Sequence, residues 1–166
     1  MEVTLDNLLA ARDKRQATQL NLIEKYPDYA LVCLTVVAPG KVKRNAQTSI
    51  IAREAVIALK EVFKNDVKYF MDYDLMTGFE AYFLISISRL KVKEKVCIIE
   101  EEHPLGRLFD IDVIDKNGQP ISRSAVGRAE RKCLICQHEA RYCMRNHTHT
   151  LSDLQEHIKS LIDSYV

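Results

Sequence analysis

The stretch Arg107-Leu108-Phe109-Asp110-Ile111-Asp112-Val113-Ile114, followed by Asp115-Lys116-Asn117-Gly118, decides the fold class. Residues 107–114 read as a strand. Side chains on a strand alternate between faces, so Phe109, Ile111 and Val113 point into a core and Asp110 and Asp112 point away from it. Asn117-Gly118 is a strong hairpin signal, and Ile121 is expected to begin the return strand. A hairpin in a chain with clear helical segments predicts an α+β (mixed α/β) fold, with a mixed or antiparallel sheet flanked by helices.

The segments around it supply those helices and strands. Leu31 to Val37 is a continuous apolar run that fits a buried strand, broken by Pro39-Gly40. In residues 48–63, Ile50, Ile51, Ala55, Val56, Leu59, Val62 and Phe63 recur at helical spacing. Residues 5–25 read as a helix, with Leu5, Leu8, Leu9, Leu20 and Ile23 on one face. Val67 to Met71 and Ala81 to Ile87 read as strands around a Thr77-Gly78 turn. Residues 88–101 fit either a helix or a strand at Val96-Cys97-Ile98-Ile99, with helix favoured. Ser152 and Gln155 suggest a capping box opening the last helix, whose stripe is Leu154, Ile158, Leu161 and Ile162.

With 166 residues and no Pro/Gly/Ser-rich linker, residues 1–166 are expected to form one domain. Residues 122–150, rich in Arg, Cys and His, form an appended element on its core. The net charge of +1 excludes a bulk basic field for nucleic acid. The longest apolar run, Tyr29 to Pro39, is about half of what a membrane helix needs. No signal-peptide core is seen, and a cytoplasmic location is expected. Five cysteines cannot all pair within the chain. Cys33 and Cys97 lie in apolar runs and read as buried small hydrophobes.

Three stretches carry candidate chemistry. Asp110 and Asp112 stand side by side, roughly 6–7 Å apart at strand rise, and repel each other unless a cation or proton lies between them. Mg2+ with a polyphosphate suits that pair. Arg107 at the strand end can reach a phosphate, and Gly106 lets backbone approach a ligand. His103-Pro104 shapes the loop entering the strand, where His103 is a candidate binding residue or a packing one. In the second stretch, Pro39-Gly40-Lys41-Val42-Lys43-Arg44 follows a strand and precedes a helix, a place that favours an anion; it is not a Walker loop. The third is Cys133-x2-Cys136-x6-Cys143-x5-His149, with His138 and His147 as spare nitrogens. Four such ligands can close a tetrahedral, structural zinc site; small apolar cysteines beside exposed histidines are the plainer reading. Around it, Arg123, Arg128, Arg131, Arg141 and Arg145 could bind phosphates or an acidic partner.

Taken in order, these motifs resemble the citrate lyase holo-[acyl-carrier-protein] synthase family, also called apo-citrate lyase phosphoribosyl-dephospho-CoA transferase. The resemblance rests on Pro39-Gly40-x2-Lys43, Thr77-Gly78-x-Glu80, His103 through Gly106-Arg107-Leu108-x-Asp110-x-Asp112-Val113, Ser122-Arg123, and Arg131-x-Cys133-x2-Cys136 through Cys143-x-Arg145 to His149. Val36-Val37-Ala38 departs from the polar Asn expected before Pro-Gly, and Phe109 stands where Trp is usual. The resemblance implies transfer of the 2'-(5''-phosphoribosyl)-3'-dephospho-CoA group. It passes from its triphosphate donor to a serine of the apo-acyl carrier protein subunit of citrate lyase, with release of pyrophosphate. On that reading Asp110 and Asp112 hold Mg2+, and one accepts the serine proton. Arg107, Lys43 and Arg123 steady the pyrophosphate, and Gly40, His103 and Gly106 belong to the substrate site. The carrier, generally acidic in such systems, docks on the Arg-rich segment 123–145.

Two rivals remain at this level. One is a related nucleotidyl- or phosphopantetheinyl-type transferase acting on another carrier. The other is a non-enzymatic, zinc-stabilised adaptor or RNA-binding module. An RNA module would interleave aromatics with its basic residues, and here Tyr142 stands nearly alone.

Overall fold

The computed structural model describes residues 1–166. Five helices and four strands follow in the order α1 (Leu5–Lys25), β1 (Ala30–Val36), α2 (Ala46–Phe63), β2 (Val67–Leu75), β3 (Gly78–Ile85), α3 (Arg89–Glu102), β4 (Phe109–Ile114), α4 (Ala140–Asn146) and α5 (Leu151–Tyr165). The sheet order is β2-β3-β1-β4, with every pair antiparallel. This is the α+β architecture expected.

Alternation in the strands sorts the side chains into two layers. Val32 and Leu34 of β1, Phe83 and Ile85 of β3, and Phe109, Ile111 and Val113 of β4 face α2, α3 and α5 across the main core. The other face carries Leu31, Cys33, Tyr82, Leu84 and Ile114, packed under Leu22 of α1. Burying the large aliphatic and aromatic side chains of the main core contributes about 1.5–3 kcal/mol each before the entropy of ordering them.

Caps fix the helix starts. Thr4 and Asn7, Asn45 and Thr48, and Thr150 and Asp153 form reciprocal capping boxes on α1, α2 and α5, and Ser88 caps α3. Several expected boundaries therefore move. The last helix opens at Thr150 rather than Ser152, and α2 opens at Asn45 because its side chain satisfies the Thr48 N–H. Residues 88–101 are helical, as favoured. The β2–β3 hairpin turns at Met76-Thr77 and is longer than its apolar residues suggest, because its outer face is polar. Strand β4 starts at Phe109, since Gly106–Leu108 is a single 3-10 turn. On α1 the expected stripe is not the buried one. Leu5, Leu9 and Leu20 are exposed, and Leu22 is the one fully covered.

The expected return strand does not form. The Asp115–Gly118 turn is present, closed by Gly118 N–H donating to Asp115 O at 3.0 Å. Beyond it there is only a bridge between Ile114 and Pro120 and a bond from Ile121 N to Val113 O at 2.8 Å. Pro120 has no N–H to extend a ladder, and the chain enters a 3-10 turn at Arg123–Val126. The outer edge of β4 is covered by α3 instead: Glu100 accepts the Ile111 N–H at 3.3 Å.

Candidate active site

Strand β4 carries the acidic pair. In the ladder with β1, Asp110 lies opposite Thr35 and Asp112 opposite Cys33, while Phe109, Ile111 and Val113 are buried on the other side. Asp110 is exposed and Asp112 half-buried. Neither carboxylate takes part in a side-chain hydrogen bond or ion pair, so both keep their oxygens free. Burial first, and the neighbouring Asp110 second, push Asp112 up to about 6. A hard cation would relieve that repulsion, so the donor set fits magnesium.

The same face holds a third carboxylate. Glu80 of β3 is buried, accepts from the Tyr82 hydroxyl at 2.8 Å and pairs with Arg15 of α1 at 3.2 Å. Arg15 therefore pins α1 over the polar end of this face. Between Tyr82 and Asp112 in the sheet lies Cys33, whose thiol burial pushes up to about 12. It is a neutral packing group and no nucleophile.

At the end of β1 and β4 the chain opens into a cavity of about 460 Å3. Val37, Ala38 and Pro39 form one side, Arg107 and Asp110 the floor, and Arg131, Cys133, Cys143 and His149 the opposite wall. All three stretches singled out in the sequence thus reach one place. The buried Arg107 Nε has no partner in the protein. Burial and the nearby Arg131 lower the Arg107 pKa to about 10, so the group stays cationic at neutral pH. A guanidinium with no ion pair and an unpaired carboxylate lining one cavity make a site suited to phosphate and cation together.

Other expected residues lie elsewhere. Lys43 turns back to donate to Ala38 O at 2.5 Å, and Arg44 pairs with Asp74 at 3.0 Å. Gly40 has φ +94° and sits against Leu151 and Gln155 of α5, so it shapes the loop beside the cavity. Arg123 donates to the buried Glu100 at 2.9 Å, which ties the Arg-rich segment to α3. His103 accepts the Leu105 N–H on Nδ1 at 3.0 Å and packs between Phe109 and Tyr165. Gly106 is buried against the last turn of α3, which sets the direction of Arg107. Cys133, Cys136, Cys143 and His149 bring their donor atoms within 4.8 Å of one another.

The family description Apo-citrate lyase phosphoribosyl-dephospho-CoA transferase matches residues 3–165 of this sequence. The chain belongs to the apo-citrate lyase phosphoribosyl-dephospho-CoA transferase family. A probable apo-citrate lyase phosphoribosyl-dephospho-CoA transferase of Streptococcus pyogenes serotype M18 is 33% identical over 168 residues, covering 98% of this chain and 87% of the relative. The apo-citrate lyase phosphoribosyl-dephospho-CoA transferase of Escherichia coli O157:H7 (strain EC4115 / EHEC) is 34% identical over 164 residues, covering 97% and 89%. The chain also matches 36% of the Haemophilus influenzae protein CitXG, at 34% identity over 168 residues. No helix is long and apolar enough to cross a membrane.

The sequence places Glu80 and Arg131 in the quoted motifs and offers Arg131 as a phosphate or partner contact, but gives Glu80 no site role and does not single out Arg15. Glu80 carried a signal, a glutamate among buried β3 positions following Thr77-Gly78. Arg15, on a helix whose buried face was misjudged, carried none.

Proposed function

We propose that this chain transfers the 2'-(5''-phosphoribosyl)-3'-dephospho-CoA group from its triphosphate donor to a serine of the apo-acyl carrier protein of citrate lyase. The observation that carries the reading is the meeting of Arg107 and Asp110 on one cavity, beside a second unpaired carboxylate, Asp112. The serine oxygen of the carrier attacks the α-phosphorus of the donor. The bond from that phosphorus to the bridging oxygen of the β-phosphate breaks, and pyrophosphate leaves. The serine proton passes to a carboxylate of the Asp110/Asp112 pair and from there to water.

Asp110 and Asp112 would hold magnesium, which when bound would offset charge on the triphosphate. Arg107, which lines the cavity and makes no ion pair, would offer its guanidinium to the phosphates, where charge builds on the leaving group. Arg131 lines the same cavity but is held by Glu100, so it adds fixed positive charge rather than a mobile contact. Gly40 and the Pro39 loop shape the entrance; Lys43 stiffens that loop, and Arg123 and His103 position β4 from behind. The nucleophile belongs to the carrier, in keeping with a chain whose buried Cys33 is a neutral thiol.

Arg141 and Arg145 make no ion pair and are exposed next to the cavity wall, which supports this edge as the docking face for an acidic carrier. Five free cysteines suit a reducing cytoplasm. The test is mass spectrometry of apo-acyl carrier protein incubated with the enzyme, the triphosphate donor and Mg2+. A mass gain equal to the prosthetic group, absent with an Asp110→Ala/Asp112→Ala protein that folds normally, supports the assignment. No gain with the unaltered enzyme and a competent carrier overturns it.

A further inference from the structure

We infer that Cys133, Cys136, Cys143 and His149 form a closed zinc site that holds residues 127–150 in shape. The inference concerns a different element from the acidic pair and stands whether or not the chain performs the transfer. The four donor atoms lie within 4.8 Å of one another, with Cys136 Sγ 3.4 Å from Cys143 Sγ and 3.4 Å from His149 Nε2. Zinc with Zn–S of about 2.3 Å and Zn–N of about 2.0–2.1 Å places tetrahedral donors about 3.5–3.8 Å apart, so small side-chain shifts bring the four into register around one ion.

The backbone is built for such a site. Cys133 and Cys136 flank a tight turn in which the Ile135 N–H donates to Cys133 Sγ at 3.4 Å, a bond that favours thiolate. The turn is closed below by Cys133 N donating to His138 O at 2.7 Å and by a bridge between Lys132 and Glu139. Helix α4 follows at once and presents Cys143. His147 then takes a left-handed conformation, φ +48°, which ends α4 and returns the chain so that His149 reaches Cys136.

The packing of the segment needs a crosslink. Among residues 122–150, the two buried residues are Cys133 and Cys143, both ligands. Arg123, Arg128 and Arg131 tie the first part of the segment to α3 and Leu134 packs on the main core, but a loop-rich stretch with so little apolar core of its own gains its fixed shape from a staple. A disulfide between Cys136 and Cys143 would leave Cys133 and His149 facing each other unpaired. Three sulfurs and an imidazole select zinc over magnesium, and four protein ligands leave no open position, so the metal is structural. Because Cys133, Cys143 and His149 also line the cavity, the metal fixes one of its walls.

The experiment is elemental analysis of the full-length protein, purified without chelator from zinc-supplemented cells. About one zinc per chain is expected. Cys136→Ser and His149→Ala should lose it, while His149→Cys and His138→Ala should keep it. Protein from cobalt-grown cells should show the intense visible bands of tetrahedral, thiolate-bound Co2+. Stripping the metal should loosen the backbone around Arg141 and Arg145 and speed tryptic cleavage there, while residues 1–114 stay protected. Metal-free protein with a Cys136–Cys143 disulfide, or zinc retained in both Cys136→Ser and His149→Ala, overturns the inference. Zinc content is read without any transfer assay, so its failure and that of the proposed reaction are separate results.

Discussion

Arg131 clasps Glu100 through Nη1 at 3.2 Å, and with Nη2 the same guanidinium donates to the carbonyls of Gly106 at 2.9 Å and Phe109 at 2.5 Å. One side chain thereby joins the Cys/His element, α3 and the start of β4. Glu100, only 4% exposed, also receives Arg123 and the Ile111 N–H.

Removing the charge of Glu100 should therefore unfix the whole corner. Glu100→Gln leaves Arg131 without a counterion and Arg123 with only its longer pair to the more exposed Glu101, at 3.6 Å. Breaking one side of a buried ion pair costs about 3–5 kcal/mol. Urea unfolding should show a loss of that order, and an unchanged midpoint would mean that water already screens the three groups.

Asp112→Asn should act in the opposite direction on stability while abolishing transfer. Asp112 is raised to about 6 by burial and by Asp110, so at pH 7 the folded state carries a penalty that the unfolded chain does not. The neutral variant should be more stable by about 1–3 kcal/mol in magnesium-free buffer. The sign follows from proton binding: the native carboxyl takes up its proton at higher pH than the unfolded one. The gain should thus shrink as pH falls from about 6 toward about 4. Equal stabilities at pH 7 would place Asp112 in bulk solvent.

The strands were legible where one face is apolar and the other polar. Phe109, Ile111 and Val113 against Asp110 and Asp112 gave both the core side and the acidic side of β4. The return strand after Asn117-Gly118 failed because a turn signal is local, whereas a strand needs a free ladder edge, and Pro120 denies it. Lys43 and Arg123 read as free cations from sequence alone. Their engagement with Ala38 O and Glu100 depends on how segments distant in the chain meet. The burial of Leu22 in place of Leu5 and Leu9 on α1 is also tertiary, since a helix that is polar on most sides has no strong preferred face.

His103 gives a pH dependence of its own. Burial lowers its pKa, and its Nδ1 must stay unprotonated to accept the Leu105 N–H. The folded state therefore binds this proton less readily than the unfolded chain. Stability from this group is complete above the unfolded histidine value of about 6.5 and is lost as pH falls below it. His103→Gln should flatten the slope of stability against pH between about 7 and 5. Parallel slopes for the two proteins in urea titrations would remove His103 as the source.

Gly106→Ala tests whether the turn before β4 sets the aim of Arg107. A Cβ at Gly106 would lie 2.6 Å from Ile99 O and would also press on Glu100 O, both backbone atoms at the end of α3. Neither can swing away as a flexible side chain would, so the Gly106–Leu108 turn itself must shift. Overpacking of this kind costs about 1–3 kcal/mol, and it moves Arg107 and the Arg131 contacts to Gly106 and Phe109 with it. Gly78→Ala makes a useful comparison. There φ is +130° and no atom lies within 4 Å of the added carbon, so the cost is backbone strain alone, in a hairpin that does not touch the Gly106–Leu108 turn. Gly106→Ala should lower kcat for carrier modification at temperatures where it remains folded, and Gly78→Ala should lower stability with kcat retained. If both variants keep full kcat, the turn does not govern the arginine, and Arg107 must find the phosphates by its own flexibility.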